Sequence, residues 1–160
     1  MPFEAARITR TSRITLNGPS SEVFPLFGPI KESEWAPGWA PRIIYLTGDF
    51  IEEHMVFTIA SHHGQEPDST WTVSRYQPEN AFVEYTVFAP ERLWWITIQC
   101  RESVQEKHTE AEVTYCYTGL TERGNLINQK ALEKMFAHDL KDWEEEINFY
   151  LETGRRLERR

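Results

Sequence analysis

The chain has 160 residues, of which 40% are hydrophobic and 13% aromatic, a globular composition that argues against a disordered chain and suits one domain over residues 1–160. Its formal net charge of −8 argues against a nucleic-acid ligand, and its two cysteines are too few for a cysteine zinc site or a disulfide framework. No apolar run is long enough to span a bilayer and the N-terminal residues lack the pattern of a signal peptide, so we expect a cytoplasmic protein without stable membrane insertion.

The first quarter of the sequence predicts one strand followed by two short helices. Apolar and polar residues alternate over residues 8–16, which is typical of a strand. Ser20 or Ser21 is suited to cap a short helix that reaches Phe27, and a second short helix is predicted over residues 30–35. The stretch EWAPGWAP that follows is too rich in proline and glycine for a regular helix or strand.

From residue 42 onward the hydrophobic period changes to two, which indicates strands. Short polar segments separate the apolar runs, and this spacing favours an antiparallel meander. Trp71 and Val73 share one face of their strand while Thr72 and Ser74 share the other, so we expect a sheet with one apolar and one wet face. The strands are predicted at residues 42–47, 50–61, 70–76, 81–88, 93–102 and 109–118.

The last predicted element is a long amphipathic helix from Asn125 to Gly154. No proline interrupts this segment, and its apolar residues recur at intervals of three and four. Asn125 is suited to cap its start, and Gly154 to end it in a left-handed turn. At 1.5 Å per residue the helix would be roughly 45 Å long. Its apolar face needs a large apolar partner, which the apolar face of the predicted sheet supplies.

This order of elements resembles the helix-grip fold of the START-like superfamily, which includes Bet v 1-like allergens, polyketide cyclases and lipid-transfer domains. The stretches VFPLFGPIKESEWAPGW, TWTVSRYQPE and EEINFYLETG look like the bacterial polyketide cyclase and lipid-transport branch. The resemblance implies an α+β fold in which a seven-stranded antiparallel curved sheet wraps around a long C-terminal helix, with two short helices after the first strand. It also implies a cavity between sheet and helix for a hydrophobic small molecule.

The inner face of the predicted sheet is rich in aromatic residues, which makes it the candidate ligand site. Strict alternation also places Arg75 on this face, where a guanidinium would orient a carboxylate or phenolate; the alternative is that Arg75 reaches solvent at the end of its strand. Filling of the same space by side chains is the alternative to a cavity. The candidate ligand-binding residues are Phe57, Trp71, Arg75, Tyr85, Ile98, Tyr115, Tyr117 and Met135.

A polar loop carries the most chemically suggestive cluster, namely His62, His63, Glu66 and Asp68. Histidines and carboxylates bind metals and transfer protons. Adjacent histidines on an extended chain point to opposite sides, however, so we predict a solvated loop and no metal site. The sequence has no nucleophile motif such as GxSxG, so catalytic residues are left unknown, and we expect no cofactor.

Three functional hypotheses follow. The first is a binding or carrier protein for a hydrophobic small molecule such as a lipid, polyketide or aromatic compound. The second is a polyketide cyclase/dehydrase-like enzyme that acts on such a ligand, and the third is an interaction module like the Hsp90 activators of the same superfamily. The lack of a convergent acid–base pair in the sequence favours the first over the second, and the oligomeric state is left open.

Overall fold

The computed structural model describes residues 2–61, 66–103 and 105–159. In these residues seven strands form one antiparallel sheet in the order β1-β7-β6-β5-β4-β3-β2. Strands β2 to β7 follow one another as a meander, and β1 closes the other edge against β7. The strands are β1 (Arg7–Leu16), β2 (Arg42–Tyr45), β3 (Val56–Ile59), β4 (Ser69–Gln77), β5 (Phe82–Ala89), β6 (Arg92–Ser103) and β7 (His108–Gly119).

The helices lie on one side of this sheet and at its ends. After β1 come α1 (Ser20–Val23), a 3₁₀ turn (Phe24–Phe27) and α2 (Pro29–Glu32), and the chain closes with α3 (Glu122–Met135) and α4 (Lys141–Thr153). None of the helices in the described part of the chain is long and apolar enough to cross a membrane.

The sheet has the two faces that the alternation predicts. Val83, Tyr85 and Val87 of β5 are buried, whereas Glu84 and Thr86 between them are only partly buried. The buried face packs against the C-terminal helices and the short helices. The prediction of an α+β helix-grip fold with two short helices after the first strand is therefore confirmed.

The predicted continuous helix from Asn125 to Gly154 is wrong in one respect, because the segment is broken in the middle. Asp139 and Leu140 adopt left-handed backbone angles, with φ of 51° and 61°. Tertiary contacts outweigh helix propensity here, since Phe136 and Leu140 are both buried and the Asp139 carboxylate lies 3.0 Å from the Arg10 guanidinium of β1. The break lets both ends of the segment follow the curved sheet.

The ends of this segment differ in how well they were predicted. Helix α3 begins at Glu122, where the Thr121 hydroxyl accepts a hydrogen bond from the Gly124 amide at 3.0 Å. The Asn125 side chain is not the cap; it bonds the N-terminal segment, where its Oδ1 accepts from the Ala6 amide at 3.1 Å. Gly154 ends α4 with φ of 72°, as predicted.

The predicted strand over residues 50–61 is also shorter in the structure, since only Val56–Ile59 pair as β3. Residues 46–55 form a wide connection between β2 and β3. The Glu52 carboxylate organises this connection, because it accepts hydrogen bonds from the Thr47 hydroxyl and from the Gly48 amide, both at 2.7 Å. These bonds lower the pKa of Glu52.

A β-bulge interrupts the alternation of faces in β4. Val73 pairs with Tyr85, but the next pair along the ladder joins Arg75 to Glu84. Ser74 and Arg75 consequently lie on the outer face, where the Ser74 hydroxyl and the Arg75 guanidinium donate to the Glu84 carboxylate at 2.8 and 3.1 Å. The inward direction that strict alternation gives for Arg75 is therefore wrong, and the alternative that Arg75 reaches solvent holds, because its side chain is 53% exposed on the outer face.

Candidate functional site

A cavity of about 450 Å³ lies between the inner face of the sheet, the segment that follows α2, and helices α3 and α4. Its wall is mostly aromatic and aliphatic. Exposed residues at its edge, Gly38, Ala40, Ala60 and Asp142, mark its mouth. The principal side chains of the wall are Trp35, Trp39, Trp71, Tyr85, Trp94, Ile96, Ile98, Tyr115, Tyr117, Met135 and Trp143.

Most of the candidate residues predicted from the sequence lie in this wall, namely Trp71, Tyr85, Ile98, Tyr115, Tyr117 and Met135. Phe57 does not line the cavity; it is fully buried, with its ring 5.4 Å from that of Trp71 and 6.2 Å from that of Tyr85. It therefore supports the wall from behind. Arg75 lies on the opposite face of the sheet and takes no part in the cavity.

Two tryptophans of the EWAPGWAP stretch form the wall opposite the sheet. The Trp35 and Trp39 indole N–H groups donate to the backbone carbonyls of Leu26 and Pro29, both at 2.7 Å. These bonds satisfy the polar edge of each ring, so that the apolar part faces the cavity. The Trp39 ring meets the Trp71 ring edge-on at 5.6 Å. An irregular segment thus supplies two fixed aromatic walls.

At one end of the cavity lies a buried ion pair that the sequence reasoning missed. Arg92 Nε and Nη2 each donate to a different oxygen of the Glu66 carboxylate, both at 2.9 Å, and the side chains are only 4% and 3% exposed. The guanidinium stacks 4.2 Å from the Trp94 ring, and Arg92 Nη1 lies 3.3 Å from Asn128 Oδ1 of α3. A bidentate geometry of this kind fixes the guanidinium firmly at the cavity wall.

At the other end the cavity is lined by carboxyl groups. Glu32 comes from the end of α2, and Asp142 and Glu146 lie one turn apart on α4. Burial, with a further contribution from the charge of Glu146, raises the pKa of Glu32 to about 8. Burial also raises the pKa of Glu146, against the opposing effect of Arg159.

The three inner tyrosines differ in what their hydroxyl groups contact. The Tyr85 hydroxyl donates to the Phe27 carbonyl at 2.6 Å. The Tyr117 hydroxyl lies near Arg92, and burial raises its pKa to about 12. The Tyr115 hydroxyl has no hydrogen-bond partner among the described residues, although its side chain is 95% buried and lines the cavity. Tyr115 is therefore the tyrosine whose hydroxyl is free for a ligand.

The described residues contain no group of three or more His, Cys, Asp or Glu side chains suited to hold a metal ion, and the absence of a metal site stays a prediction. His62 and His63, considered as ligands from the sequence, lie outside the described residues. Glu66 from the same loop is the partner of Arg92, and this role replaces the solvated position predicted for it.

No protein-family model matches the sequence, and no curated protein sequence matches it. Solved structures do match. Norcoclaurine synthase from Thalictrum flavum, in complex with dopamine and hydroxybenzaldehyde, is 10% identical with a TM-score of 0.67, over 93% of this chain and 89% of that chain. The Zhui aromatase/cyclase from Streptomyces sp. R1128 is 13% identical with a TM-score of 0.67, over 96% and 100%. Ara h 8.0201 is 12% identical with a TM-score of 0.64, over 92% and 99%.

These neighbours share the helix-grip fold of this chain, so the fold that the resemblance implies is confirmed. At identities of 10–13% the likeness defines the fold and not the activity, because one fold hosts many functions. That residues 1–160 form one START-like domain, and that the protein is cytoplasmic, stay predictions.

Proposed function

We propose that this protein binds a hydrophobic small molecule with an aromatic body in the cavity between the sheet and the C-terminal helices. The observation that carries the proposal is the cavity itself. Its volume of about 450 Å³ lies in the range of small-molecule sites, and its wall is predominantly aromatic with a few polar groups at its two ends.

The arrangement of the rings supports a flat ligand. Trp39, Trp71 and Trp94 meet one another edge-on, at 5.6 Å and 6.5 Å between neighbouring ring centroids. All three rings line the cavity, and a flat aromatic body packs well against aromatic side chains of this kind. An open cavity also favours the small-molecule hypotheses over an interaction module, which requires no internal space.

A polyketide cyclase/dehydrase-like enzyme is the second candidate, and the state of Glu32 favours it. A carboxyl group with a pKa near 8 is protonated at neutral pH and suited to donate a proton to a bound ligand. We place binding first, because the cavity alone supports it, and catalysis second, because it depends in addition on the protonated state of one carboxyl group.

Uptake of N-phenyl-1-naphthylamine, an uncharged aromatic dye that fluoresces in apolar surroundings, tests the binding function. We expect saturable binding at one site per chain, with an increase in melting temperature as the dye concentration rises. Ile96→Trp should weaken binding by at least about tenfold, because it fills the cavity. Thr97→Trp is the matched control, since Thr97 is the next residue of β6 and lies on the outer face.

Absence of saturable dye binding by the unaltered protein contradicts the proposal. Equal binding by the unaltered protein and a folded Ile96→Trp variant contradicts it as well, because the dye would then bind elsewhere on the surface.

A further inference from the structure

The carboxyl end of the cavity has more negative than positive charge. Among the described residues that line the cavity, Arg92 is the only cation, and the Glu66 carboxylate neutralises it at the far end. Glu32 and Asp142 have neither a hydrogen bond nor an ion pair from their carboxyl groups within the described ranges. Burial of the Glu32 carboxylate without a partner is unfavourable, and Asp142 adds a second negative charge at the exposed mouth, so this end of the cavity favours a positively charged group.

Arg159 neutralises only part of the negative charge at the carboxyl end of the cavity. Its guanidinium lies 3.5 Å from the Glu146 carboxylate and 3.5 Å from that of Glu145, and its side chain is 43% exposed. It therefore approaches Glu146 from solvent and shares its charge with a second carboxylate. Glu32, on the opposite wall, receives no such contact from any described residue.

The free hydroxyl of Tyr115 is an independent sign of a ligand at the same place. Its side chain is 95% buried, and the charges of Glu32 and Asp142 both raise the pKa of Tyr115, after burial itself. Tyr115 lines the same cavity as both of these residues. None of the described residues provides a hydrogen-bond partner for this hydroxyl, which is therefore open to a group inside the cavity.

The rings around this end are also suited to a cation. The Trp143 ring lies 6.0 Å from the Trp35 ring and 6.5 Å from the Tyr115 ring, at steep angles of 65° and 69°. Ring faces carry partial negative charge and attract ammonium groups, most strongly where water is excluded. Carboxylates, a hydroxyl acceptor and aromatic faces together form a site for an N–H-bearing cation.

We propose that the ligand is an aromatic amine whose protonated alkylammonium group binds between Glu32, Asp142 and Tyr115, with its apolar body toward Trp71 and Trp94. This inference rests on the proposed function, because it names the chemical class of the ligand that the cavity binds.

The site predicts a dependence of affinity on pH. The titratable groups coupled to Glu32 by charge are Glu146 of α4 and the tyrosines Tyr85 and Tyr115 of the sheet, and Asp142 of α4 lines the same cavity. A cation beside Glu32 favours its ionised form, so that ammonium binding releases a proton. Affinity should rise with pH up to about pH 8, where Glu32 is ionised without help, while an alkylamine like that of lysine stays protonated to about pH 10.

Three naphthalene compounds that differ only in the end group test the inference, with isothermal titration at about pH 6 and about pH 8.5. They are 2-(1-naphthyl)ethylamine, the neutral 2-(1-naphthyl)ethanol and the anionic 1-naphthylacetate. At the higher pH we expect the amine to bind at least about tenfold more tightly than the alcohol, and the acid to bind most weakly. The advantage of the amine should shrink at the lower pH.

Glu32→Gln should remove most of the preference for the amine and its pH dependence, and should leave alcohol binding within about twofold. Glu34→Gln is the matched control, because Glu34 lies outside the cavity and pairs with Lys31 at 3.4 Å. Equal affinity for amine and alcohol, or tighter binding of the acid, overturns the amine class while leaving the binding function intact. Failure of all three compounds and of the uncharged dye overturns both proposals.

Discussion

Glu32 lies where an ionised carboxylate is poorly stabilised. It is removed from bulk water, faces the carboxyl group of Glu146, and has no cationic partner among the described residues. These conditions raise its pKa from 4.5 to about 8. Since the unfolded chain has the ordinary value, the folded state binds this proton more tightly than the unfolded state does.

This difference predicts that the protein loses stability as pH rises between about 4.5 and 8. Glu32→Gln mimics the protonated form and should remove this loss. The variant should match the unaltered protein near pH 4 and exceed its free energy of unfolding by up to about 5 kcal/mol above pH 8, because the pKa change from 4.5 to about 8 contributes about 1.4 kcal/mol per pKa unit. Urea denaturation at a series of pH values measures the effect. Parallel stability profiles for the two proteins would show that Glu32 is ordinarily solvated.

At the level of single residues, alternation along the strands predicts the aromatic residues of the cavity wall, but it does not predict the charged residues there. Trp71, Tyr85 and Tyr115 lie in the wall as their phase indicates. Arg92 was missed although it is in phase with Trp94 on β6, and this phase was the available signal. No sequence rule pairs it with Glu66, which is 26 residues away, because buried ion pairs depend on the tertiary fold. Glu32 was missed for the same reason.

At the level of elements, the start of α3 packs closely against the turn between β5 and β6. Glu91 forms this contact with both its backbone and its side chain. Its carbonyl accepts from the Leu120 amide at 2.8 Å, and its carboxylate accepts from Thr121 Oγ1 at 3.1 Å and pairs with Arg123 at 2.8 Å. A side chain at Gly124 would overlap the Glu91 carbonyl, so glycine is required here by close approach.

Gly124→Ala should therefore destabilise the protein by at least about 1–3 kcal/mol, the usual cost of inserting a methyl group where there is no space. The substitution improves helix propensity by up to about 1 kcal/mol, so a net loss would measure the steric effect. Gly18→Ala is the control, because a Cβ there meets only ordinary contacts, the nearest at 3.5 Å. Thermal denaturation compares the variants. A Gly124→Ala protein as stable as the unaltered one would mean that α3 begins farther from the turn.

The elements that the sequence predicted wrongly have a common cause. The bulge that turns Arg75 outward and the break at Asp139 and Leu140 both occur where side chains contact residues distant in sequence, namely Glu84 and Arg10. Periodicity identifies the strand and the helix, but sheet curvature arises from contacts among distant segments. A local pattern does not contain that information, and it predicted a straight helix and an unbroken strand.

At the level of the whole molecule, the cavity depends on elements that are distant in sequence. Alternation along the strands places aromatic rings on the inner face of the sheet. The volume of the cavity, however, depends on the distance between this face and the helices α3 and α4. The Glu66–Arg92 pair contributes to this spacing, because Arg92 contacts the Trp94 ring at 4.2 Å, the Tyr117 ring at 5.7 Å and Asn128 of α3. One buried guanidinium thus connects the β3–β4 connection, the sheet and α3.

Removal of one partner from this pair should therefore destabilise the molecule strongly. Glu66→Gln leaves the Arg92 charge buried without a counter-charge and should lower the free energy of unfolding by about 3–5 kcal/mol. Glu66→Leu combined with Arg92→Met should cost much less, or nothing, since an apolar pair needs no charge compensation. The exposed Arg75 is the control, and Arg75→Gln should change stability by less than about 1 kcal/mol.

Urea denaturation at low and high salt separates these cases. The loss caused by Glu66→Gln should persist at high salt, because a buried charge is poorly screened, whereas any effect of Arg75→Gln should fade. If Glu66→Gln behaves like Arg75→Gln, the pair is open to water and the guanidinium does not hold the sheet and α3 together. If the double variant is as unstable as Glu66→Gln, packing around the two side chains matters more than their charges. Either result would contradict the inference that the charged Glu66–Arg92 pair holds the sheet and α3 together at this end of the cavity.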